Sequence, residues 1–160
     1  MQSLLDRYIS TFALDTATTP AIVTSHDALT IVERWSGRSL SSLDSLHKEY
    51  IPGVWLYETP EDKVEFPIIV VRKFISDTAQ IPYEGKYIYI LSGVDTASLE
   101  AMNALLKVLE DTPRHAIILL VVGDREALLE TIHSRTIDLF RQERRIIDRA
   151  HEGAIRDFFA

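Results

Sequence analysis

The stretch that decides the fold is residues 83–122, "YEGKYIYILSGVDTASLEAMNALLKVLEDTPRHAIILLVV". Its "KYIYILS" segment is rich in β-branched and aromatic residues, which favour a central strand. Ser98 is a good N-cap for a helix through Glu110, and the apolar spacing predicts that this helix turns five side chains inward: Leu99, Met102, Leu105, Leu106 and Leu109. "HAIILLVV" is almost continuously apolar, as in a parallel strand covered on both faces. The stretch therefore predicts strand, helix, strand.

The same alternation extends in both directions along the chain. Further strands are predicted at Ala21–Thr24, in "GVWLYETP" and in "RTIDLF". Helices are predicted over residues 2–12, after Ser25 as N-cap, from Pro67 as first helical residue, and in "REALLETIHS". Five strands that alternate with helices indicate an α/β fold: a mainly parallel five-stranded sheet sandwiched by helices.

Composition and charge narrow the functional classes. A length of 160 residues suits one domain, and the chain has no cysteine, which fits a reducing cytoplasm and excludes disulfides and thiolate metal sites. The longest apolar runs are about seven residues, far short of the roughly 18 that span a bilayer, so no membrane role is expected. The net charge of −7 argues against autonomous binding to nucleic acid, which depends on clustered Lys and Arg.

Two motifs carry a resemblance to a known family. "PYEGKYIYIL" leads into "NALLKVLEDTP", and "TIHSRT" follows about 20 residues later. This sequence resembles the AAA+ domain of bacterial DNA polymerase III clamp-loader subunits, above all delta-prime and its gamma/tau relative, whose run has the shape "PYEG-x-YKV…NALLKTLEEPP…LLPTI-x-SRC". The likeness covers about residues 66–140 and is looser upstream. It implies an AAA+ core over residues 1–140 and a C-terminal helix over 141–160, a remnant of the family's lid, without the family's helical collar.

The phosphate-binding loop of the family's active members has no counterpart here. That loop is rich in glycine, ends in Lys-Ser/Thr, and joins the first strand to the first helix, where its backbone N–H groups cradle phosphates. In this chain "AIVTSHDALTIVER" passes from strand to helix through Ser25, His26 and Asp27, with neither glycine nor lysine. Asp27 would place a carboxylate where phosphate belongs. The plain alternative is a capped helix start.

The family's other catalytic positions are also changed. In active relatives the third strand ends in an acidic pair that organises Mg²⁺ and water, and Ser92 and Gly93 stand at those positions. Serine is a poor Mg²⁺ ligand and glycine cannot act as a base. Asp95 is interpreted as a turn residue that helps to cap the following helix. The sensor position falls near Val122 and Gly123, which offer no side-chain hydrogen bond. We therefore expect no nucleotide cofactor and no ATP hydrolysis.

One catalytic element of the family is retained. Ser134, Arg135 and Thr136 resemble its Ser-Arg-Cys motif, in which the arginine points at the nucleotide of the neighbouring subunit. A guanidinium is permanently charged and forked, so it can neutralise a transferring phosphoryl group. The alternative is a helix-terminal arginine that pairs with a nearby Asp or Glu. Glu110 and Asp111 are interpreted as a helix terminus, and "RQERR" at 141–145 as a solvated helix face.

No metal site is expected from the five histidines, because they lack HxxxH spacing and show no acidic residues at ligand distance in the sequence. The resemblance predicts a catalytically inactive, delta-prime-like subunit. Its partners would be a gamma/tau-like ATPase and delta, and indirectly the sliding clamp and primer-template DNA. Two alternatives stay open: a free-standing protein-interaction module derived from such a subunit, and an ATPase with an unorthodox site.

Overall fold

The computed structural model describes residues 2–82 and 85–140, in which five parallel strands form one sheet. The spatial order is β2-β3-β4-β1-β5, so β1 lies between β4 and β5. The strands are β1 Ala21–Val23, β2 Val54–Glu58, β3 Tyr87–Ser92, β4 Ala116–Val121 and β5 Ile137–Asp138. The predicted α/β architecture is confirmed, and every described pairing is parallel. The helix predicted over residues 141–160 lies outside the described residues.

Helices cover both faces of this sheet. They are α1 Leu4–Ser10, α2 Ser25–Ser36, α3 Ile68–Thr78, α4 Leu99–Glu110 and α5 Glu130–His133, with 3₁₀ turns at Thr11–Ala13, Leu43–His47, Val94–Thr96 and Arg125–Ala127. No described helix has the length and apolarity that a bilayer crossing requires.

The continuous apolar run of β4 is explained by its two buried faces. Ile118 and Leu120 pack in the core beneath α3 and α4, together with Phe74 and Leu105. The alternate residues of the strand, among them Leu119, join the core formed with α1 and α2. Because successive side chains of a strand point to opposite faces, both sets must be apolar.

Three local predictions need correction by one residue or one side chain. Thr24, not Ser25, is the N-cap of α2, and Pro67 is the N-cap of α3 rather than its first helical residue. Leu99 was expected to face inward but is 64 % exposed, and Val108 is buried instead. At 100° per residue, Leu99 lies about 120° around the helix from Leu105, beyond the edge of the buried stripe.

Helix α1 is fastened to the rest of the domain by Asp6. This carboxylate completes a capping box with Ser3 and also accepts a hydrogen bond from Arg34 of α2. The Arg34 guanidinium, helped by the Ser3 hydrogen bonds, lowers the pKa of Asp6 to about 2. Helix α2 ends before Gly37, its C-cap, which adopts the left-handed conformation with a φ of 69°.

Candidate functional site

The carboxyl ends of the strands form the edge where ligands bind in open parallel sheets. At this edge β1 ends at Val23 and α2 begins at Ser25, so Thr24 is the single intervening residue. The Thr24 hydroxyl accepts a hydrogen bond from the backbone N–H of Asp27 at 3.1 Å. Asp27 itself is only 3 % exposed. A hydroxyl and a carboxylate therefore occupy the first turn of the helix, where phosphate would otherwise be held by free N–H groups.

The end of β3 is a tight turn built on Gly93. Ser92 is the last strand residue, and Gly93 adopts a φ of 89°, a left-handed conformation that favours glycine. The Gly93 N–H donates to the carbonyl of Val121 at 2.9 Å, and its own carbonyl accepts from the Thr96 hydroxyl at 2.8 Å. The glycine at this position is thus explained by backbone geometry.

Asp95 joins the ends of two strands, which corrects its interpretation as a helix cap. Its Oδ2 accepts the backbone N–H groups of Gly123 at 3.2 Å and of Asp124 at 3.0 Å. The α4 helix is capped by Ser98, whose hydroxyl accepts from the Ala101 N–H at 3.2 Å. Asp95 therefore ties the turn after β3 to the loop after β4, across the position expected for the sensor.

A cavity of about 380 Å³ opens at this edge of the sheet. Three of the predicted residues line it: Ser25, His26 and Ser92. Two acidic side chains that the sequence analysis did not single out, Asp44 and Glu58, also line it. Asp27 and Gly93 are not among the lining residues. The lining thus combines hydroxyls, one imidazole and carboxylates, a set that suits a cation better than a nucleotide's phosphates.

Arg135 lies on a second surface, just beyond the end of α5. Its Nη1 donates to the carbonyl of Thr131 at 2.9 Å and to the hydroxyl of Ser134 at 3.3 Å, and its Nη2 lies 3.6 Å from Oε2 of Glu110. Its Nε is buried and has no hydrogen-bond partner among the described residues. Thr136 donates through Oγ1 to the carbonyl of Ile132 at 2.9 Å, so its hydroxyl stabilises the end of the helix.

A cavity of about 510 Å³ lies beside this guanidinium. It is lined by Ala17, Thr18, Thr19, Pro20, Leu109, Glu110, Asp111, Thr112, Ser134 and Arg135. The Arg135 side chain is 29 % exposed and that of Glu110 is 67 % exposed. Arg135 therefore pairs with an acidic residue, as its alternative interpretation expects, and it also borders this open cavity.

Comparison with known proteins decides the family. The sequence profile described as "DNA polymerase III, delta subunit" matches residues 38–143, about two thirds of the chain. This chain belongs to the DNA polymerase III delta subunit family. A crystal structure of a DNA polymerase III gamma subunit-related protein from Thermotoga maritima has a similar fold, with a TM-score of 0.64 and 19 % sequence identity. No curated protein sequence matches significantly.

The structural match covers a larger share of this chain than of the Thermotoga maritima protein. It covers 86 % of this delta-family chain but 45 % of the Thermotoga maritima protein, so the chain spans less than half of that protein's length. At this level of identity the comparison shows a shared α/β fold.

Sequence reasoning missed one cluster in this delta-family chain. Asp44, His47 and Glu58 each offer a ligand atom, and the three atoms lie within 4.8 Å of one another. The expectation that no histidine has acidic neighbours is therefore wrong for His47. The D-x-x-H spacing of Asp44 and His47 was visible in the sequence, but the contribution of Glu58 from the next strand depends on the folded chain.

Proposed function

We propose that this chain is an ATPase-deficient, delta-prime-like subunit of a DNA polymerase III clamp loader. It acts in the cytoplasm, beside a gamma/tau-like ATPase and delta, and supports loading of the sliding clamp onto primer-template DNA. Family membership supports the replicative role. The part assigned to this subunit is structural support of the ATPase neighbours and, through Arg135, a contribution to their chemistry.

The observation that carries the proposal is the direct junction of β1 and α2 through Thr24. Phosphate-binding loops need several backbone N–H groups free to face the phosphates. Here the Thr24 hydroxyl takes the N–H of Asp27, and the buried Asp27 carboxylate would repel a phosphate. The turn at Gly93 and the bonds of Asp95 occupy the neighbouring strand ends. Hydrolysis by this chain is accordingly not part of its function.

Arg135 is the residue that we assign to the neighbouring subunit. Its Nη2 makes only a long contact of 3.6 Å to Glu110 and the side chain is 29 % exposed, so part of its donor capacity remains for an incoming anion. The adjacent cavity of about 510 Å³ leaves room for phosphate oxygens. An arginine supplied in this way accelerates phosphoryl transfer by about 10³–10⁵-fold in other nucleotide hydrolases.

The test mixes this chain with the clamp-loader ATPase of the same organism and follows ATP hydrolysis. We expect stimulation by the wild type, loss of most of that stimulation in Arg135→Ala, and unchanged binding of the two proteins. Arg114→Ala, which removes an exposed arginine elsewhere, is the matched control and should stimulate normally. Stimulation that does not depend on Arg135 would reject the trans-acting role, and no binding would reject the subunit role.

A second measurement separates this proposal from an unorthodox ATPase. A nucleotide present at 100 times its dissociation constant would stabilise the isolated chain by about 2.7 kcal/mol. We expect ATP with Mg²⁺ to leave the thermal unfolding midpoint of the isolated chain unchanged. A clear upward shift would show that the chain binds nucleotide itself.

The alternative of a free-standing interaction module is favoured by one surface. Ile69 of α3 is 71 % exposed and Leu99 of α4 is 64 % exposed. Arg72, three residues after Ile69, reaches Glu100, the neighbour of Leu99, at 4.0 Å. Exposed apolar side chains around such a pair suit a protein contact. A free-standing module would leave the ATPase subunit unbound, whereas loss of ATPase binding in Ile69→Ser with Leu99→Ser, but not in Arg135→Ala, would place the subunit contact on this face and reject this alternative.

A further inference from the structure

The cluster of Asp44, His47 and Glu58 is assembled by two elements. Asp44 and His47 belong to the 3₁₀ turn Leu43–His47, in which residues three apart are eclipsed on one face. Glu58 is the last residue of β2 and meets this face from the sheet. The His47 Nε2 and the Glu58 Oε1 are in direct contact. The three ligand atoms lie within 4.8 Å of one another, close enough to share one ion.

The charges of Asp44 and Glu58 favour the binding of a cation at this cluster. Two carboxylates within this distance repel each other, and the chain already carries a net charge of −7. The contact between His47 and Glu58 engages only two of the three groups. The side chains of His47 and Glu58 are 59 % and 30 % exposed, so an ion from solvent can reach them. A dication bound by all three groups would neutralise both carboxylates.

The ligand set indicates the class of ion. One imidazole nitrogen and two carboxylate oxygens are donors that Zn²⁺ and its neighbours among the transition metals accept, at about 2.0–2.2 Å from the metal. Mg²⁺ and Ca²⁺ prefer oxygen ligands alone, so the histidine selects against them. Three protein ligands leave at least one position of a tetrahedral ion for water or another exchangeable ligand.

We propose that Asp44, His47 and Glu58 form a binding site for a divalent transition metal of the Zn²⁺ class. Asp44 and Glu58 also line the cavity of about 380 Å³, with Ser42 and Ser92. Two of the three ligands thus border a cavity that could admit a further ligand of the metal. The site does not depend on the proposed function.

The test is a calorimetric titration of the full 160-residue chain with ZnCl₂, in a buffer that does not chelate metal. We expect one equivalent to bind with a Kd of about 10 µM or tighter. His47→Ala and Glu58→Gln should each raise the Kd at least about tenfold. His115→Ala, which removes a histidine outside both this cavity and the cluster, should bind Zn²⁺ as the wild type does. MgCl₂ should give no binding.

Thermal unfolding provides a second readout on the same proteins. His47 is a largely exposed side chain, so its replacement should leave the fold intact. Zn²⁺ should raise the unfolding midpoint of the wild type and of His115→Ala but not that of His47→Ala. Absence of Zn²⁺ binding by the wild type, equal affinity in His47→Ala, or a loss in His115→Ala as large as that in His47→Ala would each overturn the assignment.

Discussion

Replacing Asp95 with alanine tests whether the ends of β3 and β4 are held together by this carboxylate. The substitution removes the acceptor of two backbone N–H groups, those of Gly123 and Asp124. Hydrogen bonds to charged groups contribute about 1.5–3 kcal/mol each when sheltered from water, and these two are exposed, so we take about 1 kcal/mol each. Asp95→Ala should therefore lower the free energy of unfolding by about 2 kcal/mol.

Asp95→Asn provides the internal comparison. The amide oxygen can still accept hydrogen bonds but carries no charge, so about half of the loss is expected. Urea unfolding measures the global effect. Amide hydrogen exchange locates it: at Gly123 and Asp124 local opening should become about 30-fold more frequent in Asp95→Ala, the equivalent of 2 kcal/mol.

Two results would refute this reasoning. A loss below about 0.5 kcal/mol in Asp95→Ala would mean that water replaces the carboxylate without penalty. Faster exchange spread evenly over the sheet, with no excess at Gly123 and Asp124, would mean that Asp95 acts elsewhere than at the two bonds described.

Three further predictions follow from the described contacts. Glu110→Gln should release Arg135 from its ion pair and raise stimulation of the ATPase partner by about 1.4–5-fold, because exposed pairs contribute about 0.2–1 kcal/mol. Gly93→Ala should lower the free energy of unfolding by about 1–2 kcal/mol in urea unfolding, the penalty of a left-handed alanine. Asp6→Asn should be less stable than the wild type at pH 5, and the difference should shrink as the pH falls from about 4 towards 2. The hydrogen bond from Arg34 lowers the pKa of Asp6 from its unperturbed value of 3.8 to about 2 in the folded chain. The stabilisation is therefore fully present at pH values above 3.8, and it is lost as the pH falls towards 2 and the folded carboxylate is protonated.

Each of these predictions has a matched control. For Glu110 the control is Asp111→Asn, which should stimulate the ATPase partner as the wild type does. Equal stimulation by Glu110→Gln and Asp111→Asn would contradict a specific role of the Glu110 carboxylate, which faces Arg135. For Gly93 the control is Gly123→Ala, because Gly123 has no positive φ and an added Cβ there would lie 3.8 Å from Asp95. An equal loss of unfolding free energy in Gly123→Ala and Gly93→Ala would contradict the backbone argument. For Asp6, the exposed Asp62→Asn should show no such pH-dependent difference.

The sheet and its helices were predictable because their signals are local. The unbroken apolar run of β4 reflects burial on two faces, and Gly37 and Ser98 mark helix ends by their own chemistry. Leu99 shows the limit of periodicity, since a residue at the margin of a helical stripe is buried only where a neighbouring element covers it.

The site was less predictable because its contacts join residues that are distant in the chain. Asp95 accepts hydrogen bonds from the loop after β4, almost thirty positions away in the chain, instead of capping the following helix as the sequence predicted. Arg135, just after α5, pairs with Glu110 at the end of α4, whereas the sequence predicted only that its partner would be a nearby Asp or Glu. The contact of His47 with Glu58 forms because the end of β2 lies beside the 3₁₀ turn Leu43–His47, and no pattern of residue spacing in the sequence predicts that arrangement.

The single-residue passage from β1 to α2 constrains how this fold could be redesigned. A substitution changes a side chain but leaves the number of backbone units constant, and a phosphate-cradling loop needs several more units than Thr24 supplies. An insertion at this point would also break the hydrogen bond from Asp27 to Thr24, so the helix start would have to re-form with a new cap. Building a phosphate-binding loop at this junction would thus require a change in chain length together with repacking of the helix start.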